Sequence, residues 1–293
     1  MSAPAWLLTC ATLIGIGIHP NGVWASTPLF RVVLDPGHGG TDLGTVYESG
    51  PTRIAEKDLT LILSQEVARE LKQQGVQVEL TRSQDIEIPL GKRTALANQL
   101  KADVFVSIHL NSQAGALGTV GNEFNPAAPL QTAHEGTASG IETYILNHTS
   151  DASSHRLARL ENSVLGGREV GSEAEPGNLD VALILKDLTL DHNLSDSKNL
   201  ACSIQERLIA RTSKSLDRGV KQALFHVLLG ADMPSVLVEA GFLSHARDRA
   251  LLVHPTSRSK IAHSIAEGIL RYQQSFRHPR KISQTASVPC RVH

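Results

Sequence analysis

The chain reads as a single α/β domain with a mostly parallel central sheet flanked by helices. Three observations predict it. Short apolar runs of strand length alternate with segments whose apolar residues repeat at helical spacing, in the order β-α-β-α-β from Phe30 to Asn111. Such alternation is what parallel strands joined by crossover helices produce. The 293 residues, less an N-terminal leader and a polar tail, leave about 245, a length one α/β core still serves.

The first strand runs through Val32, Val33 and Leu34 into Asp35-Pro36-Gly37-His38-Gly39-Gly40, where glycines let the backbone turn sharply and Pro36 fixes the strand's exit. Glu56 opens a helix whose apolar positions Leu59, Ile62, Leu63, Val67 and Leu71 recur at helical spacing. A strand at 76–81, a helix at 90–100 and the strand carrying His109 follow. From 113 to 139 Ala, Gly, Thr and Pro dominate without periodicity, which predicts a long surface loop near the site. Between 147 and 195 a short helical pattern (Leu157, Leu160, Val164, Leu165) stops at Gly166-Gly167, and a polar stretch leads to a second apolar run from Val181 to Leu188. A strand at 140–146, a helix at 196–212, strands near Phe225 and Val236 and a last helix at 255–276 complete the core. The tail, 277–293, is basic and aperiodic and is expected to be disordered.

Composition excludes some functions. A net charge of −1 gives no electrostatic case for nucleic acid, and 4% aromatic residues offer no stacking platform. The apolar stretch from Ala5 to Ile18, followed by Val23-Trp24-Ala25 before Ser26, reads as a signal peptide over 1–25. It lacks the basic n-region, and an uncleaved anchor is its rival; it is too short for a membrane span, so no stable span is expected after processing. Leu8-Thr9-Cys10 does not make a lipidation box, because Thr stands where a smaller residue is needed. Cys202 and Cys290 can pair in an oxidising compartment, though no spacing pattern supports it, and the chain has no Cys-x-x-Cys pair for a thiolate metal site.

Two histidines end apolar runs. His38 follows Leu34-Asp35-Pro36-Gly37 and His109 follows Val104 to Ile108, which places two imidazoles where strands of an α/β sheet present ligands. Glu56 lies in the first turn of its helix, and Glu239 ends the apolar strand Ser235 to Val238. Singly, a strand-end His is more often a hydrogen-bonded structural residue, and Glu56 suits a helix dipole. Glu239 is harder to explain, since an unpaired buried carboxylate costs several kcal/mol. Together, two His and one Glu are the ligand set of an open catalytic zinc site, and the second Glu fits a general base.

These residues stand in blocks whose order and spacing resemble the zinc-dependent N-acetylmuramoyl-L-alanine amidases of amidase family 3, from about Phe30 to Tyr272. The blocks are Leu34 to Gly40, Glu56-Lys57-Asp58, Ser107 to Asn111, Gly140 to Tyr144, Arg218 to Lys221 and Pro234 to Ser244. The resemblance implies an amidase catalytic domain at 29–276, one zinc per chain held by His38, Glu56 and His109, and Glu239 activating water. It implies hydrolysis of the amide between N-acetylmuramic acid and L-alanine in peptidoglycan, during wall turnover or daughter-cell separation in a periplasm. Asn111, Glu142 and Arg218, in matching blocks, become candidate substrate contacts. Leu110 and Ala240 depart from the family's usual Ala and Thr or Cys, without touching a metal-binding atom.

Gram-negative members with a comparable insertion place a helix over the site, whose Glu occupies the open zinc position until an activator protein displaces it. By that resemblance 147–195 is a regulatory insertion and Glu161 the candidate blocking ligand, with Glu169 a lesser one; the alternative is a plain amphipathic surface helix. No wall-binding repeat is visible, so targeting falls to a partner. Other readings are an amidase for soluble muropeptides and a catalytically silent peptidoglycan-binding module, which would have no need of Glu239. A phosphate-binding loop at Gly37, Gly39 and Gly40 fails the dinucleotide spacing.

Overall fold

Strands that are apolar on both sides need cover on both sides, and the chain supplies it in two helical layers. The computed structural model describes residues 29–113, 117–121, 129–133, 135–163, 187–212, 217–277, 290 and 292. The expected leader, Val164, Leu165, Gly166-Gly167, Glu169 and the run from Val181 to Lys186 lie outside them.

In chain order the elements are β1 (Arg31–Pro36), β2 (Thr45–Ser49), β3 (Thr52–Ala55), α1 (Glu56–Gln73), β4 (Gln77–Leu80), α2 (Leu90–Gln99), β5 (Val104–Asn111), β6 (Leu117–Gly121) and β7 (Pro129–Ala133). There follow β8 (Ile141–Leu146), α3 (Ala152–Asn162), α4 (Asp187–Thr212), β9 (Asp217–Ala223), a 3-10 turn at His226–Leu228, β10 (Ser235–Phe242), α5 (Ala246–Val253) and α6 (Pro255–Arg277). The central sheet has the order β4-β1-β5-β10-β8-β9. Four of its five pairings are parallel and only β10 against β8 is antiparallel, so the expected single α/β domain with a mostly parallel sheet is what forms.

Alternate residues of each strand serve opposite layers. Val32, Leu34, Val104, Val106, Ile108, Val236 and Val238 pack with α1, α4 and α6. Val33, Phe105 and Leu237 pack on the other side with Ala97 of α2 and Leu157 and Ala158 of α3. On α1 the buried face is Leu59, Leu63, Val67 and Leu71, each contributing about 1.5–3 kcal/mol, whereas Ile62 is 38% exposed.

Several elements differ from the sequence expectation. The stretch at 113–139 is not merely a loop: β6 and β7 form there and join β2 and β3 in a second sheet of order β3-β2-β7-β6. Gly118, Gly121 and Pro129 mask those strands, because such residues ordinarily interrupt strands. The β2–β3 hairpin, too short for periodicity to register, was not anticipated, nor was α5. α4 begins at Asp187, nine residues before the helix start expected at 196. The strand expected near Phe225 lies earlier, at β9.

The tail is helical through Arg277, and its end is fastened. Cys290 is disulfide-bonded to Cys202 of α4, and Val292 pairs in parallel with Val220 of β9. The rest of the expected tail, 278–289, 291 and 293, lies outside the described residues. Among the described residues no helix is long and apolar enough to cross a membrane.

Candidate metal centre

The chain leaves β1 through α1 to β4 on one side, then crosses back through α2 to β5 on the other. The carboxyl ends of β1 and β5 therefore flank a topological switch point, the crevice where open α/β sheets bind ligands. His38 lies two residues beyond β1, and His109 lies in the last turn of side chains on β5.

His38 has φ +61°, an uncommon backbone conformation for a residue with a side chain. Two buried arginines hold it there. Arg93 donates to Pro36 O at 2.9 Å, His38 O at 3.1 Å and the Asp35 carboxylate at 2.9 Å. Arg82 donates to Pro36 O at 3.1 Å and Gly37 O at 2.8 Å. Glycine is required beside the rings: a Cβ on Gly37 would stand 2.5 Å from His109 Cε1, and one on Gly44 would stand 2.6 Å from His38 Cδ2. The Nδ1 of His38 faces Asp42 at 2.9 Å, which places the proton on Nδ1 and leaves the Nε2 lone pair facing inward.

Four side chains converge in this crevice. His38 Nε2 lies 3.0 Å from Glu56 Oε1 and 3.3 Å from Glu161 Oε2. His109 Nδ1 lies 3.3 Å from Glu56 Oε1 and 3.0 Å from Glu161 Oε2. All four residues are buried, and one ligand atom from each lies within 4.8 Å of the others. Glu56 is fixed by the amides of Thr45, 2.9 Å from Oε2, and Leu110, 2.8 Å from Oε1. Glu161 comes from the last turn of α3, so the residue the resemblance singles out as a blocking ligand sits with the three expected metal ligands.

The donor chemistry fits a divalent cation. His38 Nε2, His109 Nδ1 and Glu161 Oε2 are buried without a hydrogen-bond partner, despite their mutual proximity. They aim at a common point rather than at one another. Four donors around a tetrahedral zinc with bonds of about 2.0–2.1 Å would stand about 3.3 Å apart, close to the spacing of the four His–Glu pairs. Burial opposes charge on His109, but Glu161 and Glu56 outweigh it and push the ring up to about 10. Glu56 is held low against burial by His38 and His109. Such mutual pull is what a cluster preorganised for a cation exerts.

Glu239 pairs in register with His109 across β10 and β5 but is not one of the four. Both its carboxylate oxygens are buried without a hydrogen bond. Burial, then Glu161, push its carboxyl well above the usual range, with His109 opposing. Asn111, Glu142 and Arg218 meet one another beside it: Asn111 Nδ2 donates to Glu142 Oε2 at 2.9 Å and Arg218 Nε donates to Oε1.

Sequence reasoning missed Asp42, Arg82 and Arg93. A carboxylate four residues after His38 was a signal for the first. The arginines carried none, because their partners, backbone carbonyls and for Arg93 also the Asp35 carboxylate, lie far away in the chain.

Comparison with known proteins agrees with this architecture. Residues 32–271 match the family described as N-acetylmuramoyl-L-alanine amidase. The chain is 35% identical over 241 residues to the N-acetylmuramoyl-L-alanine amidase AmiC of Neisseria meningitidis, covering 82% of this chain and 52% of that protein. It thus spans about half the length of that relative. It is 31% identical over 245 residues to AmiA of Escherichia coli, covering 84% of this chain and 76% of AmiA. The crystal structure of an N-acetylmuramoyl-L-alanine amidase from Clostridium difficile superposes with a TM-score of 0.59 at 28% identity, covering 85% of this chain and 99% of that one. The chain belongs to the N-acetylmuramoyl-L-alanine amidase family.

Proposed function

We propose that the chain is a zinc-dependent peptidoglycan amidase, held inactive by α3, that cuts the bond between N-acetylmuramic acid and L-alanine. The observation that carries this reading is the buried convergence of His38, Glu56, His109 and Glu161 beside the unpartnered carboxylate of Glu239. His38, Glu56 and His109 would hold the zinc, one per chain. Zinc there supplies Lewis-acid polarisation of the amide carbonyl and acidifies water.

The protein's own groups do the rest. Asp42 orients His38, and the amides of Thr45 and Leu110 orient Glu56. Glu239 takes the proton of the attacking water and returns it to the leaving L-alanine nitrogen. Water's oxygen joins the lactyl carbonyl carbon, the C–N bond breaks, and a lactyl carboxylate and a free amine result. A buried carboxylate with no other hydrogen-bond partner is free for both transfers.

Glu161 takes the place the substrate carbonyl and water need, so activity requires its carboxylate to leave the cluster. A protein activator that displaces α3 fits this arrangement. The expected leader and the Cys202–Cys290 disulfide both suit an exported protein in an oxidising compartment, here a periplasm. Cell-wall turnover and daughter-cell separation are the proposed settings. The silent peptidoglycan-binding module remains the reading to beat.

The test is release of stem peptide from purified peptidoglycan by zinc-loaded Glu161→Ala protein, with and without Glu239→Gln. Release that falls by about 10²–10⁴-fold on Glu239→Gln, at equal zinc content, supports the proposal. No release from the Glu161→Ala protein, with peptidoglycan still bound, supports the silent module.

A further inference from the structure

Glu56 takes its aim from two amides in different sheets. Thr45, whose N–H meets Oε2 at 2.9 Å, opens β2 of the small sheet, whereas Leu110, whose N–H meets Oε1 at 2.8 Å, lies near the end of β5 in the central one. A ligand fixed from two sides stays aimed only while the two sides keep their spacing. On one side β2 is held through β3, which pairs with it and runs directly into α1. Toward the end of β10 the small sheet is held by the segment after β7, where Gly136 N donates to Ser244 O at 2.9 Å, and by a cluster of three side chains.

Arg249 of α5 is the centre of that cluster. Its guanidinium carbon lies 3.4 Å from the centroid of the Tyr47 ring, and its terminal nitrogens donate to Leu243 O at 3.0 Å and to the Glu135 carboxylate. Glu135 also accepts from Tyr47 OH at 2.9 Å, and the Tyr47 hydroxyl, with Arg249, holds its carboxyl below the ordinary range. Tyr47 and the Arg249 side chain are largely buried, at 8% and 11% exposure. A guanidinium can make all three contacts at once, because its plane stacks on a ring while its edge donates in two directions. Tyr47 stands two residues, about 6.5 Å of strand, from Thr45, with Val46 buried between them. Leu243 donates its own amide to Asn111 O at 2.8 Å, and Asn111 adjoins Leu110. One arginine therefore bridges the two routes that lead to the two oxygens of Glu56.

We propose that Arg249 is a positioning residue for the metal cluster: by clamping β2 to the exit of β10 it sets the spacing of the Thr45 and Leu110 amides, and so the aim of Glu56. It acts through those amides, and its removal leaves every ligand in the chain but loosely aimed. The consequence is weaker metal binding and a less defined ligand geometry. A plain surface staple would differ, since its loss lowers stability and leaves the occupied site as it was. The inference rests on the metal reading of His38, Glu56 and His109 and adds to it a residue from α5.

The test is chelator competition for zinc, together with the visible absorption spectrum of the cobalt(II)-loaded protein, on the full chain in wild-type, Arg249→Met, Arg249→Lys and Glu135→Ala forms. Arg249→Met, which keeps an apolar side chain over Tyr47, is expected to lower zinc affinity by about tenfold, the lower end of what outer partners of metal ligands contribute, and to shift or broaden the cobalt bands. Arg249→Lys should recover part of the affinity. Glu135→Ala, at an exposed position where folding is not at risk, should move both readouts in the same direction by less, and it decides the matter should Arg249→Met fail to fold. Unchanged zinc affinity and an unchanged cobalt spectrum in the folded variants, whatever happens to their urea melts, would overturn the proposal. Metal bound alike by wild type and variants counts against this inference alone, whereas a wild type that takes up neither zinc nor cobalt overturns the metal reading and this inference with it.

Discussion

Replacing Glu161 with Ala removes the one cluster member that α3 supplies, and the structure indicates that little else changes. Leu157 and Ala158 keep the helix on the core at 6% and 5% exposure. Asn162 donates to Leu224 O at 2.8 Å and accepts from His226 N at 2.8 Å, and Asp151 caps the first turn by accepting from Ser154 N at 2.7 Å. The two Asn162 bonds contribute about 0.5–1.5 kcal/mol each and Leu157 about 1.5–3 kcal/mol, so α3 stays folded and docked. What is lost is one charge-assisted contact, about 1.5–3 kcal/mol in favour of the closed arrangement. That corresponds to a closed state favoured by about 10- to 150-fold, and stem-peptide release from purified peptidoglycan should rise by a similar factor. The assay is initial rate at equal metal content, with near-UV circular dichroism to verify the fold. An unchanged or lower rate in folded, metal-loaded Glu161→Ala would refute the reasoning.

Three further outcomes are expected. Cys290→Ser should lower stability by about 2–5 kcal/mol in urea melts, because the Cys202–Cys290 link closes a long loop across an 88-residue separation; a wild type insensitive to reductant would contradict this. Asp35 is buried, which opposes its charge, but Arg93, Thr81 and Ser107 hold its carboxyl below the ordinary value. Its contribution is therefore complete above the unfolded-state pKa of about 3.9 and is lost as pH falls through the lower folded value. Asp35→Asn should cost about 3–5 kcal/mol at pH 7, by stranding Arg93, and should flatten the acid limb of stability; an unaltered acid limb would assign that limb to other carboxylates. Gly44→Ala, at φ +63° and with its Cβ 2.7 Å from Glu56 Oε2, should weaken metal affinity by about 10–100-fold in chelator competition, and unchanged affinity would show that the crevice yields.

The parts of the fold that periodicity governs were legible. β1, α1, β5 and β10 are long and apolar on the correct residues, and β1, α1 and β10 are bounded by glycine or proline, so local pattern and tertiary role agree. β6 and β7 were not, because Gly118, Gly121 and Pro129 read as loop and the strands form through pairing, β7 with β2 and β6 with β7. The candidate residues His38, His109 and Glu239 were legible for a different reason: a histidine or carboxylate at the end of an apolar strand contradicts its surroundings and calls for an explanation, whereas Glu56, at a helix start, gained meaning only beside them. Arg82 and Arg93 escaped because they act on the His38 loop largely through its backbone carbonyls, at sequence separations that no local pattern encodes, whereas Asp42, four residues from the ring it orients, was within reach of local reading. The Cys202–Cys290 pair was legible only as a possibility, since two cysteines without a spacing motif do not specify a bond.

The central claim is that His38, Glu56, His109 and Glu161 surround one metal ion. Elemental analysis of the purified wild type, His38→Ala, His109→Ala and Glu161→Ala tests it most directly, with circular dichroism to verify each fold. The account predicts one zinc per chain in the wild type and in Glu161→Ala, which keeps three ligands, and almost none in either histidine variant. Full zinc in folded His38→Ala and His109→Ala, or none in a wild type that still releases stem peptide, would contradict it.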